Sequence, residues 1–169
     1  MDSILGSFNS TFTSAYALLS GVLALVILTA VLLVFGLRGG RSALISLILS
    51  FYAGYAIYAV FPFKDAILSA GGTPLIRTIL SIGIFVVASI LPFVLIRRIT
   101  SGGFGSLSFI PNLILAFLAA AFLLAIGYHL FSLSSVYPLS GTLDAAFSPS
   151  QFFFWWFIAP LIGLFLFAR

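Results

Sequence analysis

Residues 36–61, GLRGGRSALISLILSFYAGYAIYAVF, decide how the rest of the chain is read. They open on a basic turn, Arg38-Gly39-Gly40-Arg41, and continue as an apolar run with a small residue at every fourth position: Ser42, Ser46, Ser50 and Gly54. Glycine reaches the left-handed backbone angles of a sharp reversal without steric cost. Two helices joined through Gly39-Gly40 therefore form a tight antiparallel pair. Side chains four residues apart lie on one face of a helix, one above the other. In lipid, burial from water does not drive helices together; close backbone approach and van der Waals contact do, and small residues permit both. The row predicts a helix–helix contact along one ridge, and a ridge of this spacing favours a crossed partner. Ala159 and Gly163 form a second, shorter row near the end of the chain.

Composition makes lipid the solvent. Of the 169 residues, 63% are hydrophobic and 6% are charged, against roughly a quarter charged in soluble domains. The length suits one compact bundle rather than two domains. The acids are Asp2, Asp65 and Asp144, with no glutamate, and cysteine is absent. That excludes disulfides, thiolate nucleophiles and cysteine-ligated metals. The net charge of +4 does not point to nucleic acid, whose partners cluster Lys and Arg on a folded face. Here the basic residues stand at the ends of apolar segments, where they anchor and orient spans.

Five apolar runs follow, at about residues 15–37, 42–61, 75–96, 110–131 and 152–168. A hydrocarbon core of roughly 30 Å takes about 20 helical residues, within a range of about 17 to 25. The runs are continuous rather than alternating, which favours helices over barrel strands, and a lipid-exposed backbone must satisfy its own hydrogen bonds. The expected fold is an all-α polytopic bundle of about five spans forming a single membrane domain. The last run is the shortest and is either a span or a re-entrant segment. Its aromatic start, Phe152-Phe153-Phe154-Trp155-Trp156, and Arg169 at its end suit a helix anchored at both interfaces.

The connections are uneven. Residues 1–14 are mildly amphipathic, with Leu5, Phe8, Phe12 and then Tyr16 near helical spacing, and form an interfacial lead-in or a frayed end. This stretch lacks the Lys or Arg of a secretory n-region. Asn9-Ser10-Thr11 fits a glycosylation acceptor, a triplet common by chance. Between the second and third runs, Lys64-Asp65 followed by Ala66-Ile67-Leu68 predicts a short interfacial helix, broken by Ala70-Gly71-Gly72-Thr73-Pro74. Residues 101–106 read as a Gly/Ser loop. Residues 134–151 form the longest polar connection and carry Asp144. With five spans, Arg38, Arg41, Arg97, Arg98 and Arg169 share one side, leaving Lys64 and Arg77 on the other. The bias of Lys and Arg toward the cytoplasm then sets the N-terminus outside and the C-terminus inside.

Few residues invite chemistry. Tyr52, Tyr55 and Tyr58 lie beside the small-residue row; their hydroxyls either line a polar path or bond neighbours within the bundle, and the second is the more common use. No ionisable group sits at mid-span, where one would mark an ion or proton route. Arg77 begins the third run and reaches the interface by snorkelling. His129 ends the fourth without a carboxylate near it in sequence and reads as an interfacial residue rather than a proton relay. Pro92 and Pro160 fall inside spans and predict kinks. No nucleophile elbow, phosphate loop or paired-histidine zinc motif is present. No catalytic, cofactor or metal site is expected; an enzyme would need His129, Asp144 and Arg77 to converge.

From Gly36 onward the chain resembles the colicin V production protein family of small bacterial inner-membrane proteins. The resemblance lies in a first span ending Gly36-Leu37-Arg38-Gly39, then Arg41 and a Leu/Ser-rich second span, Leu44-Ile45-Ser46-Leu47. A proline-containing junction, a third span ending in basic residues, a Gly/Ser loop and a fourth span follow in similar order, over roughly residues 17–131. The fifth aromatic span adds to the family's four-span plan, and Arg41-Ser42 stand where an acidic residue often follows the Arg-Gly motif. The resemblance implies a non-catalytic envelope protein linked to toxin export or envelope homeostasis. Together these readings predict a non-enzymatic accessory or scaffold subunit whose partners are the lipid bilayer and other membrane subunits, or further copies of itself. The competing prediction is a small oligomeric channel or transporter subunit. A polar cavity lined by Ser46, Ser50, Tyr55 and Tyr58 would favour the channel, and a dry bundle the scaffold.

Overall fold

The computed structural model describes residues 22–100, 109–131, 146–147 and 150–167. The N-terminal amphipathic stretch with its Asn9 triplet, the Gly/Ser loop, Asp144 and Arg169 lie outside the described residues. All described secondary structure is helical. Its elements are α1 (Val22–Gly39), α2 (Arg41–Val60), α3 (Lys64–Ser69), α4 (Pro74–Thr100), α5 (Phe109–Leu130) and α6 (Ser150–Phe167). Five of these, all but α3, are long and apolar enough to cross a membrane.

A single non-helical residue separates α1 from α2: Gly40, with φ +79°. Its left-handed backbone turns the chain back on itself. The two helices then pack closely, because Gly36 rests against the Leu44 side chain and Gly39 stands where a Cβ would lie 2.7 Å from that of Ala43. The hairpin buries Leu32 with Leu44, Ile45 and Ile48.

The short helix α3 occupies the junction predicted for it, and Pro74 opens α4, a position where its missing N–H costs nothing. At 27 residues α4 is the longest helix among the described residues, reaching past the predicted end of its span through Arg97 and Arg98. Pro92 and Pro160 each lie within a continuous helix and are buried.

The middle of the bundle is α2 and α5. Helix α5 contributes a block of small residues, Ala116, Ala119, Ala120, Ala121 and Ala125, all fully buried. Helix α2 packs most extensively on α4, and α5 on α6. Helices α1, α4 and α6 turn large apolar side chains outward, among them Val31, Val87, Leu91 and Phe165. A surface of that kind is stable against lipid and not against water. Within α4 the pattern is inside-out: the buried residues are Thr78, Ser81, Phe85, Ser89 and Pro92. Their steps of three and four residues trace one helical face, so polar and small groups point into the bundle and branched aliphatic ones away from it.

Candidate functional site

Along the row read from sequence, Ser46, Ser50 and Gly54 are buried and Ser42 is half-buried. Gly54 faces α4. A Cβ built on it would overlap the Ser89 hydroxyl and stand 3.0 Å from the Ser89 Cβ and 3.1 Å from its Cα. On α6, Gly163 is buried against Leu118 of α5, and Ala159 one turn earlier is half-buried. Ser89 did not enter the sequence reading, although the spacing of Thr78, Ser81 and Ser89 in an otherwise aliphatic helix is a legible signal.

Most hydroxyls in and beside the row are engaged within the protein. Ser46 Oγ lies 2.7 Å from the Ser42 carbonyl and 2.9 Å from Thr100 Oγ1, and Thr100 Oγ1 lies 2.8 Å from the Ile96 carbonyl, so one hydroxyl donates across to the other while its partner donates back to its own helix. Ser50 Oγ donates to the Leu47 carbonyl at 2.6 Å and Ser89 Oγ to that of Phe85 at 2.8 Å. Such back-bonding to the preceding turn satisfies a hydroxyl without a ligand. Tyr52 donates to the Phe157 carbonyl, tying α2 to α6, and Tyr58 shares a hydrogen bond with Ser81. Tyr55 is half-buried against the rings of Phe153 and Phe157. No described cavity is lined by Ser46, Ser50, Tyr55 and Tyr58 together.

Cations mark the two ends. The Ser46–Thr100 contact joins the start of α2 to the end of α4, placing Arg38, Arg41, Arg97 and Arg98 at one end. The Arg97 guanidinium lies 5.8 Å from the Phe93 ring centroid. At the other end Lys64 lies 5.5 Å from the ring of Tyr58, and Thr78 Oγ1 donates to the Phe131 carbonyl at 3.2 Å. His129 stacks on Phe153 of α6, with ring centroids 4.2 Å apart. It does not line the cavity that holds Arg77. Among the described residues no three His, Cys, Asp or Glu side chains cluster closely enough to hold a metal.

Asn112, in the first turns of α5, is 1% exposed, and neither side-chain amide atom has a hydrogen-bond partner. A buried amide without partners is costly in a protein interior, and the sequence reading did not single it out.

Two cavities share a wall near the Lys64 end. The first, about 470 Å³, lies between α3, the start of α4 and the end of α5; Asp65, Ser69, Arg77, Thr78 and Ser81 contribute to its polar lining. The second, about 420 Å³, is almost wholly apolar and lies deeper, between α1, α2, α4 and α5, with Phe85, Phe93 and Leu124 among its walls. Phe131 lines both. It is held edge-on to Phe85 and Tyr58, at 5.6 and 6.0 Å between ring centroids. Comparison with known protein families, with curated proteins and with solved structures gave no match.

Proposed function

We propose that this chain is a non-enzymatic, multi-pass subunit of the bacterial cytoplasmic membrane. It serves as an accessory or scaffold within an envelope assembly, as its resemblance to colicin V production proteins implies. The observation that carries the reading is the engagement of the hydroxyls along α2. Ser46, Ser50, Tyr52 and Tyr58 are bonded to carbonyls or hydroxyls of the bundle itself. Ser46, Tyr52 and Tyr58 tie α2 to its neighbours, Ser50 is turned back on its own helix, and among the described residues no cavity is lined by Ser46, Ser50, Tyr55 and Tyr58 together. A conducting or transporting subunit needs polar groups that face a route.

The test is to extract a tagged chain in mild detergent and identify what co-purifies by mass spectrometry. A second arm reconstitutes the purified chain in liposomes. A stoichiometric membrane partner and electrically silent liposomes are expected. Ion or solute flux through liposomes holding this chain alone would overturn the reading.

The proposed orientation has the arginine-rich end in the cytoplasm and the N-terminus outside. The absence of cysteine makes single-cysteine labelling direct. Gly72→Cys, between α3 and α4, is expected to react with a membrane-impermeant maleimide added to intact cells. Ser101→Cys, directly after α4, is expected to react only after lysis. The opposite result reverses the orientation.

A further inference from the structure

The two cavities, which share Phe131 as a wall, have the form of an amphiphile's outline, a polar chamber at one membrane end beside an apolar one. The apolar chamber is bounded along α4 from Ile82 to Phe93. Those 11 steps at about 1.5 Å each come to roughly 17 Å, close to half of a roughly 30 Å hydrocarbon core. That stretch is the middle of α4, so the chamber lies at the depth of acyl chains. Its two hydroxyls, Ser50 and Ser89, are turned back on their own helices, so it offers an occupant only dispersion contacts. Both volumes lie within the range of about 300–1,000 Å³ typical of small-molecule sites.

The polar chamber carries one cation and one anion that do not pair. Arg77 Nε donates to the Gly71 carbonyl at 2.8 Å. Its stem is seated against Gly71, where an added Cβ would lie 2.9 Å from Arg77 Cγ. The side chain is thus anchored by its inner nitrogen, and its terminal nitrogens make no hydrogen bond among the described residues. Asp65 lines the same chamber from α3 and makes no ion pair with Arg77. Opposite charges held apart at a membrane interface match a zwitterion whose own charges are separated by a short linker. Guanidinium nitrogens suit phosphate oxygens, and a carboxylate beside the Ser69 hydroxyl suits a primary ammonium.

From this geometry we infer that the paired cavities bind one phospholipid with a phosphoethanolamine headgroup. Its phosphate lies on Arg77, its ammonium on Asp65, and one acyl chain passes Phe131 into the apolar chamber. A purely anionic headgroup meets Asp65 unfavourably, so the site selects among lipids as well as retaining one.

Native mass spectrometry of the purified full chain, titrated with defined lipids, tests this. Phosphatidylethanolamine is expected to add as a single retained molecule, in preference to phosphatidylglycerol of the same chains. Arg77→Gln should lower its occupancy by roughly tenfold or more, the scale of one lost charge-assisted hydrogen bond. Asp65→Asn should remove the preference over phosphatidylglycerol. Val86→Trp places a large ring into the apolar chamber from its lipid side and should abolish retention. Leu91→Trp, exposed on the same helix outside both cavities, should leave it intact. Equal binding of the two lipids by the unaltered chain, or retention unchanged in both Arg77→Gln and Val86→Trp, overturns the inference.

Discussion

Gly54 of α2 lies in direct contact with Ser89 of α4, so close that the Ser89 Cα would stand 3.1 Å from any Cβ at position 54. Two backbones approach here because neither residue carries bulk. The contact falls midway between two interhelical hydrogen bonds, Ser46 with Thr100 toward the arginine-rich end and Tyr58 with Ser81 toward the other. Helices α2 and α4 are thus held at three levels, each by small or hydroxyl-bearing residues. In lipid, where apolar side chains gain nothing by leaving the solvent, that is the available means of fixing a helix pair.

Gly54→Ala is expected to destabilise the bundle by about 1–3 kcal/mol, the usual cost of overpacking a tight contact. Thermal unfolding in mild detergent measures it. Adding Ser89→Gly to Gly54→Ala should restore part of the loss, because it removes the side chain that the new methyl meets. An unchanged melting temperature for Gly54→Ala alone would show that the contact is looser than the geometry states.

Gly40 gives a different kind of penalty. Nothing lies within 4 Å of a Cβ placed there, yet its φ is +79°. The cost of Gly40→Val is therefore conformational rather than steric, about 1–3 kcal/mol. Gly40→Asn should cost about as much, because ψ 171° places the residue outside the αL region that asparagine tolerates and in one essentially reserved for glycine. An unchanged melting temperature for either variant would count against the hairpin geometry.

The two hydrogen-bonded levels can be weighed by double-mutant cycles. Tyr58→Phe with Ser81→Ala, and Ser46→Ala with Thr100→Val, should each give a coupling energy of about 0.6 kcal/mol, with an upper range near 1.7 kcal/mol. Unfolding titrations in mixed detergent micelles supply the four stabilities of each cycle. Coupling indistinguishable from zero in both would remove hydrogen bonding as a cause of the α2–α4 pairing.

Asn112→Leu is expected to stabilise the protein. Both amide atoms of Asn112 are buried without a partner, and leaving a buried polar group unsatisfied costs about 1–3 kcal/mol. Leu115 and Ala116, one turn further along α5, are fully buried and apolar, so leucine enters a compatible environment. The expected gain is about 1 kcal/mol, read as a raised melting temperature. A lowered one would mean that the amide holds a polar group essential to the fold.

Much of the architecture was legible because a bilayer permits few alternatives. The spans, the reversal at Gly40, the short helix at Lys64 and the small-residue row all follow from length, glycine placement and spacing. The face of α4 that packs on α2 was harder to read. Hydrophobic periodicity, the usual guide in water, is flat in a helix whose every side is apolar. The information sits instead in the few hydroxyl residues, Thr78, Ser81 and Ser89, which face inward. Asn112 gave even less warning, since a single amide in an apolar run does not reveal whether a partner waits for it.

By itself the sequence determined that this chain is a set of long apolar helices and where its cations stand, because backbone hydrogen bonding in hydrocarbon allows little else. Only the tertiary structure decided that Gly54 meets Ser89, that the Tyr52 and Tyr58 hydroxyls close on their neighbours, and that Asp65 and Arg77 share a chamber without pairing. Those are distances between segments far apart in the chain. They depend on which faces come together, and when lipid wets every apolar face equally, packing shape rather than hydrophobicity makes that choice.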